Sequence, residues 1–303
     1  VFLIALFLPI LISLLFTLIA NVISAATGQS GNEINSNIWY LAAYSLVMGI
    51  SYVVLYLVYN KANRIDYKAI NLNFKMPWHT YLIIAAIGIV SLFGVQYFIS
   101  MIDNLLQAIG YPLNSGSIVN PTDAGTFILA VIVLAVIPAI TEELLFRGVI
   151  LNGLRGRFGD IGAIFMSALL FALMHQSFQQ LIYPFILGSI MAYIVLRTGS
   201  LVSSMIVHFI NNFLVIMFAF IQNTTGFSLG VEGWPLYLTG TLLLILTAGI
   251  IFIIDRYYFA HKNRSKDEQI DKNIYAPKLL YIAIAISVLL YIIVEVTNIV
   301  TNT

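Results

Sequence analysis

The chain has 303 residues, of which 60% are hydrophobic and only 9% charged, with a mean hydropathy of +0.96 and a net charge of +1. A soluble domain carries about 25% charged residues, so an ordinary soluble core is excluded and an all-α, polytopic transmembrane helical bundle is expected. With no cysteine there is no disulfide framework or thiolate chemistry, and basic residues confined to loops give no nucleic-acid-binding face.

Nine apolar runs are long enough to be read as spans. The first covers 1–25. Ser24-Ala25-Ala26 resembles a signal cleavage site, but the run is too long for a signal core, and its retention is expected. Val1 stands where a natural chain would begin with methionine, so a trimmed start is expected. The second run, 39–60, is followed by a loop in which Ala69-Ile70-Asn71-Leu72-Asn73-Phe74 alternates as a short strand or interfacial segment would. The third covers 79–102, with His79 at its edge. The fourth, 126–153, holds Glu142, Glu143 and Arg147. The fifth and sixth, 161–177 and 181–197, are short for a bilayer that needs about 20 residues. The fifth carries Phe171 and His175, and the seventh, 201–221, carries His208, Asn211 and Asn212. The eighth covers 236–255. A polar, mixed-charge stretch, 256–277, reads as a cytoplasmic connector containing His261, and the ninth run is 278–300. The whole of 1–303 is expected to form one membrane domain. His79 and His261 are read as surface residues.

All of the 14 lysines and arginines except Arg147 fall in the second, fourth, sixth and eighth loops between these runs, and none in the odd-numbered ones. By the positive-inside rule the N-terminus is cytoplasmic and nine spans fit. The Ile, Asn and Lys usage fits an AT-rich bacterial genome, hence a bacterial plasma membrane.

A carboxylate at the centre of a membrane helix costs about 2.5–3.5 kcal/mol even on lenient insertion scales. Two adjacent ones mark a functional site. Glu143 and Arg147 are i and i+4, with the acid toward the N-terminus, the better order for a pair. Glu142 points about 100° away and has no charged partner on its own helix. It is therefore free to act on a water or a substrate. His208 and Asn212 are also i and i+4, so they share a face, while Asn211 lies off it and is expected to contact a neighbouring helix. An inert ion cluster would explain the acids and Arg147. It would not explain two histidines and an asparagine on two further apolar runs.

Glu142-Glu143-x-x-x-Arg147, then Phe171-x-x-x-His175, then His208-x-x-x-Asn212 resemble the three signature motifs of the CPBP intramembrane proteases. These are the CAAX-protease and bacteriocin-processing, or Abi, enzymes. Arg147-Gly148 and Gly199-Ser200-Leu201 are similar too. The resemblance covers 126–221, the expected catalytic core. It implies hydrolysis of a peptide bond in a membrane-associated peptide or protein. Glu142, with His175, would activate the water, and His208 and Asn212 would hold the oxyanion. Glu143, Arg147 and Phe171 would support them. An imidazole and an amide are suitable fixed donors in a water-poor site.

One carboxylate and two histidines can also form a zinc set. The soluble His-Glu-x-x-His spacing is absent, and the reading leans to a metal-free enzyme. The rival reading is a non-proteolytic scaffold or immunity protein that binds another membrane protein, though a scaffold has no need of a free Glu142. A proton-coupled transporter would call for repeated halves with paired broken helices, and none is evident. Depth poses a difficulty. If helix four ends near Leu151 and helix five starts at Ile161, His175 lies far deeper than Glu142 and His208. They meet only if helix four extends further or helix five is tilted or displaced.

Overall fold

In a computed structural model the described residues are 2–30, 33–34, 37–62, 72, 74, 76–111, 121–175, 178–227 and 234–254. The ninth run, the 256–277 connector and His261 lie outside them, as does most of the alternating 69–74 segment. The described residues contain helices and no strand.

The first three helices are α1 (Phe2–Thr27), α2 (Ile38–Ala62) and α3 (Trp78–Ala108). A continuous helical stretch follows from Ala124 to Leu173, too long for one crossing. It divides at Gly159, whose φ of 67° and ψ of −180° leave helical space. We call residues 124–158 α4 and residues 160–173 α5. Then come α6 (Phe178–Thr198), α7 (Leu201–Thr225) and α8 (Trp234–Ile254). Among the described residues, six helical stretches are long and apolar enough to cross a membrane, with Leu238–Phe252 a shorter apolar helix. The fourth and fifth expected runs form the two arms of the Gly159 hairpin, so the first eight runs correspond to α1–α8.

Helix α4 starts at a capping box. The Asp123 carboxylate accepts from the Gly125 and Thr126 amides at 2.8 and 3.0 Å. The bond from the Thr126 amide, above all, holds that carboxyl below its ordinary range. Further along, α4 widens twice into π-type turns, Val131–Val136 and Leu144–Ile150, on either side of Ile137–Glu143. Such turns cluster at functional sites.

The bundle is built around α4, which lies between α2 and α7, while α5 packs along α6 and α3 backs α7 and α8. Membrane helices approach closely where side chains are small. A Cβ on Gly188 of α6 would stand 3.2 Å from Arg147 Nη2 and from Phe171 Cδ1. The buried centre includes Tyr52, Leu145, Phe146, Ile150, Leu170, Phe171, Met191 and Val207. Large apolar side chains such as Leu11, Ile50, Ile128 and Ile245 are exposed on the outside. That is the surface a lipid-embedded protein presents.

The hairpin removes the depth difficulty. Helix α4 does not end near Leu151 but continues to Phe158. Its last turns are polar, with Asn152, Arg155 and Arg157, which is why hydropathy alone stops it early. Near the start of α7, Leu201 packs on Gly148, where a Cβ would lie 3.4 Å from Leu201 Cδ1. From that level inward, Glu142 and His208 each lie about 10 Å deeper at 1.5 Å per residue, and His175 joins them through Phe171, whose ring meets both histidines edge-to-face. The Gly159 end of the hairpin extends past the α6–α7 turn in the opposite direction.

Candidate active site

The Glu143–Arg147 pair expected from the spacing is present. Arg147 Nη1 donates to Glu143 Oε1 at 2.7 Å, and both side chains are completely enclosed. Arg147 Nη2 donates to the Gly188 carbonyl at 3.1 Å, and the guanidinium lies over the Phe171 ring, 4.5 Å from its centre. A buried charge survives in a membrane only when paired and hydrogen-bonded. Arg147 meets that condition with partners from three helices. Phe171 sits at the centre of the cluster, edge-to-face with Phe146, His175 and His208.

Glu143 has a second partner. Its Oε1 accepts from His208 Nδ1 at 2.9 Å. Since a carboxylate only accepts, His208 Nδ1 carries a proton, and Nε2 faces away from Glu143. The Glu142 Oε2 atom stands 3.9 Å from that Nε2, beyond direct hydrogen-bonding range. The two acids thus differ as the helical geometry leads one to expect. Glu143 is closed off, its Oε1 bonded to both Arg147 and His208, whereas the Glu142 side chain keeps 19% of its surface exposed.

His175 is oriented in the same way. Its Nδ1 lies 3.0 Å from the Phe171 carbonyl, one turn back. A carbonyl accepts only, so Nδ1 carries the proton and Nε2 keeps its lone pair. The His175 ring meets Phe171 edge-to-face, 5.1 Å between centres, which places it in the same cluster.

Asn211 is buried and serves the packing of neighbouring helices, as expected. It donates to the Gly88 carbonyl of α3 at 3.1 Å and to Val207 at 2.9 Å, and accepts from Tyr183 of α6 at 2.9 Å. Asn212 faces α4, where its Nδ2 donates to the Leu134 carbonyl at 2.9 Å. An amide has two N–H donors, so one remains beyond that bond. His79 is exposed at the start of α3.

Several neighbours were not anticipated. Tyr52 of α2 is buried at the centre of the bundle, and Tyr44 of α2 shares a hydrogen bond with Ser13 of α1 at 3.1 Å. Tyr52 also donates weakly to Met174 Sδ at 3.8 Å, beside His175. Their only trace in the sequence is a helically spaced row, Tyr44, Tyr52, Tyr56 and Tyr59. Gly188, which makes room for Arg147, leaves no trace beyond being a glycine in an apolar run.

The zinc set considered above was one carboxylate with two histidines. Among the described residues no three His, Asp or Glu side chains converge on one point as a zinc shell requires. This placement of side chains does not form one.

Residues 124–214 match a family model described as Rce1-like, type II CAAX prenyl endopeptidase Rce1-like. That segment contains Glu142, Glu143, Arg147, Phe171, His175, His208 and Asn212, so the CPBP resemblance carried by the three motifs is borne out. No curated protein and no solved structure matches the chain.

Proposed function

We propose that this multi-pass membrane protein, carrying an Rce1-like segment, is an intramembrane endopeptidase that cuts the membrane-proximal part of a peptide or protein in a bacterial plasma membrane. The observation that carries the reading is the inequality of the two acids. Glu143 is bound by Arg147 and His208, while Glu142 retains an open side and no hydrogen-bonded counter-ion. An acid left in that state inside a membrane has chemical work to do.

The chemistry follows from the donors and acceptors. Water sits between the Glu142 carboxylate and the lone pair of His175 Nε2. Glu142 takes a proton as the water oxygen bonds to the scissile carbonyl carbon. The carbonyl oxygen becomes an oxyanion and accepts from Asn212, through its second amide hydrogen, and from His208 Nε2–H. For that bond His208 carries both ring protons, with Glu143 accepting from Nδ1. As the intermediate collapses, the C–N bond breaks and Glu142 returns its proton to the leaving amine.

The test compares membrane peptidomes of wild type and Glu142→Gln by mass spectrometry, with a farnesylated C-a-a-X peptide and its unprenylated twin as direct substrates. Glu142→Gln is expected to abolish turnover and keep near-wild-type thermal stability, because the charged neighbour of Glu142, His208 at 3.9 Å, keeps its hydrogen bond to Glu143 when the Glu142 charge is lost. Turnover retained above about one per cent, against the 10²–10⁴-fold effect typical of a general base, removes Glu142 from that role.

A further inference from the structure

Pro138 lies four residues before Glu142, inside the membrane stretch of α4. Just ahead of it the backbone is wide, and the Ile137 amide reaches back to the Ile132 carbonyl. Proline has no amide hydrogen to continue the series. An amide at position 138 would reach Leu134 in α spacing or Val133 in π spacing. In a bilayer such carbonyls find no water and must be met by protein.

Both are met by side chains from other helices. Asn212 of α7 donates to the Leu134 carbonyl at 2.9 Å. Ser45 of α2, itself buried, donates through Oγ to the Val133 carbonyl. One turn along α2, Gly49 lets the backbone come so close that a Cβ would stand 2.8 Å from Ile137 Cγ2. Ser45 and Gly49 therefore fit α2 onto the break in α4 from one side, and Asn212 holds it from the other.

We propose that Ser45 is a positioning residue for Glu142. By fixing where the wide turns give way to regular helix, it sets the direction in which the carboxylate leaves α4. A slip of one residue at the break would turn Glu142 by about 100°. The proposal rests on the reading of Glu142 as the water-activating acid, but its coupling to Pro138 can be measured independently.

The experiment is a double-mutant cycle of Ser45→Ala and Pro138→Ala in the full chain. Melting temperature in detergent is one readout, and kcat and KM on the farnesylated C-a-a-X peptide are the other. Ser45→Ala should lower Tm by roughly 2–4 °C. It should also lower kcat by about tenfold or more, with KM within about twofold of wild type. With Pro138→Ala, the restored amide serves the carbonyl, so adding Ser45→Ala should lower Tm by less than half as much and reduce kcat no further. Ser45→Cys, of similar size but a weak donor, should fall between serine and alanine. Equal Tm losses in both backgrounds, or a raised KM with unchanged kcat, overturn the proposal. If wild type leaves the peptide intact, the CAAX-type reading fails while the Tm cycle still decides whether Ser45 serves the Pro138 break. If Glu142→Gln cuts as fast as wild type, Glu142 is not the water-activating acid, and the proposal that Ser45 positions it is overturned whatever the Tm cycle shows.

Discussion

Among the described residues, Arg147 is one of the largest side chains enclosed completely. Its charge survives there because Glu143, the Gly188 carbonyl and the Phe171 face all meet it. Removing one partner of a buried pair costs about 3–5 kcal/mol, since the other is left uncompensated. Arg147→Ala should therefore express poorly or melt far below wild type. Arg147→Lys should recover only part of the loss, because an ammonium cannot fork between carboxylate and carbonyl while lying flat on a ring. Thermal melting of both variants in detergent checks this, and an Arg147→Ala protein as stable as wild type would mean that the guanidinium faces water. The pairing was legible in the sequence because it is local. It depends on i,i+4 spacing along one helix. Gly188 and Ser45 were not legible, because their roles arise only once α6 and α2 lie against α4.

Gly159 sets the shape of the hairpin that carries Glu142 and His175. Its φ of 67° and ψ of −180° fall where only glycine is comfortable. Gly159→Ala should cost about 1–3 kcal/mol and lower the melting temperature. Hydrogen exchange should rise on both arms near the bend while the α3–α8 contact keeps its protection. Unchanged exchange on the arms would show that the bend tolerates a side chain. Here the sequence gives only part of the answer. Hydropathy located both arms but stopped α4 early, at its first polar turns, although a helix that leaves the apolar layer has no reason to end there. The wide turns of α4 were also hidden. A π turn has no composition of its own, and Pro138 was the only residue that could have announced one.

At the scale of the molecule, the site lies where three helices reach one level. Two belong to the hairpin and the third, α7, starts beside Gly148. The family match covers the hairpin and α7 as far as residue 214, but not α1, α2 or α3. Yet α2 contributes Ser45 and Gly49 against α4, and Tyr52 against Met174 beside His175. The motif segment therefore does not complete its own surroundings.

The hairpin also acts as a ruler. Glu142 and His175 each stand about 16 residues from Gly159, roughly 25 Å of helix at 1.5 Å per residue. One residue inserted in a single arm advances that arm by about 1.5 Å and turns it by about 100°, so either the acid or the bend must leave its place. Seven residues inserted in both arms add almost two whole turns to each and return the facing sides nearly to where they were. The longer, paired insertion should keep Glu142-dependent cleavage, and the single residue should abolish it. If the single insertion proves as harmless as the paired one, the arms do not measure each other. If the ruler holds, length changes in this hairpin are tolerated only as matched steps in both arms, and its tip can grow outward without disturbing the chemistry below.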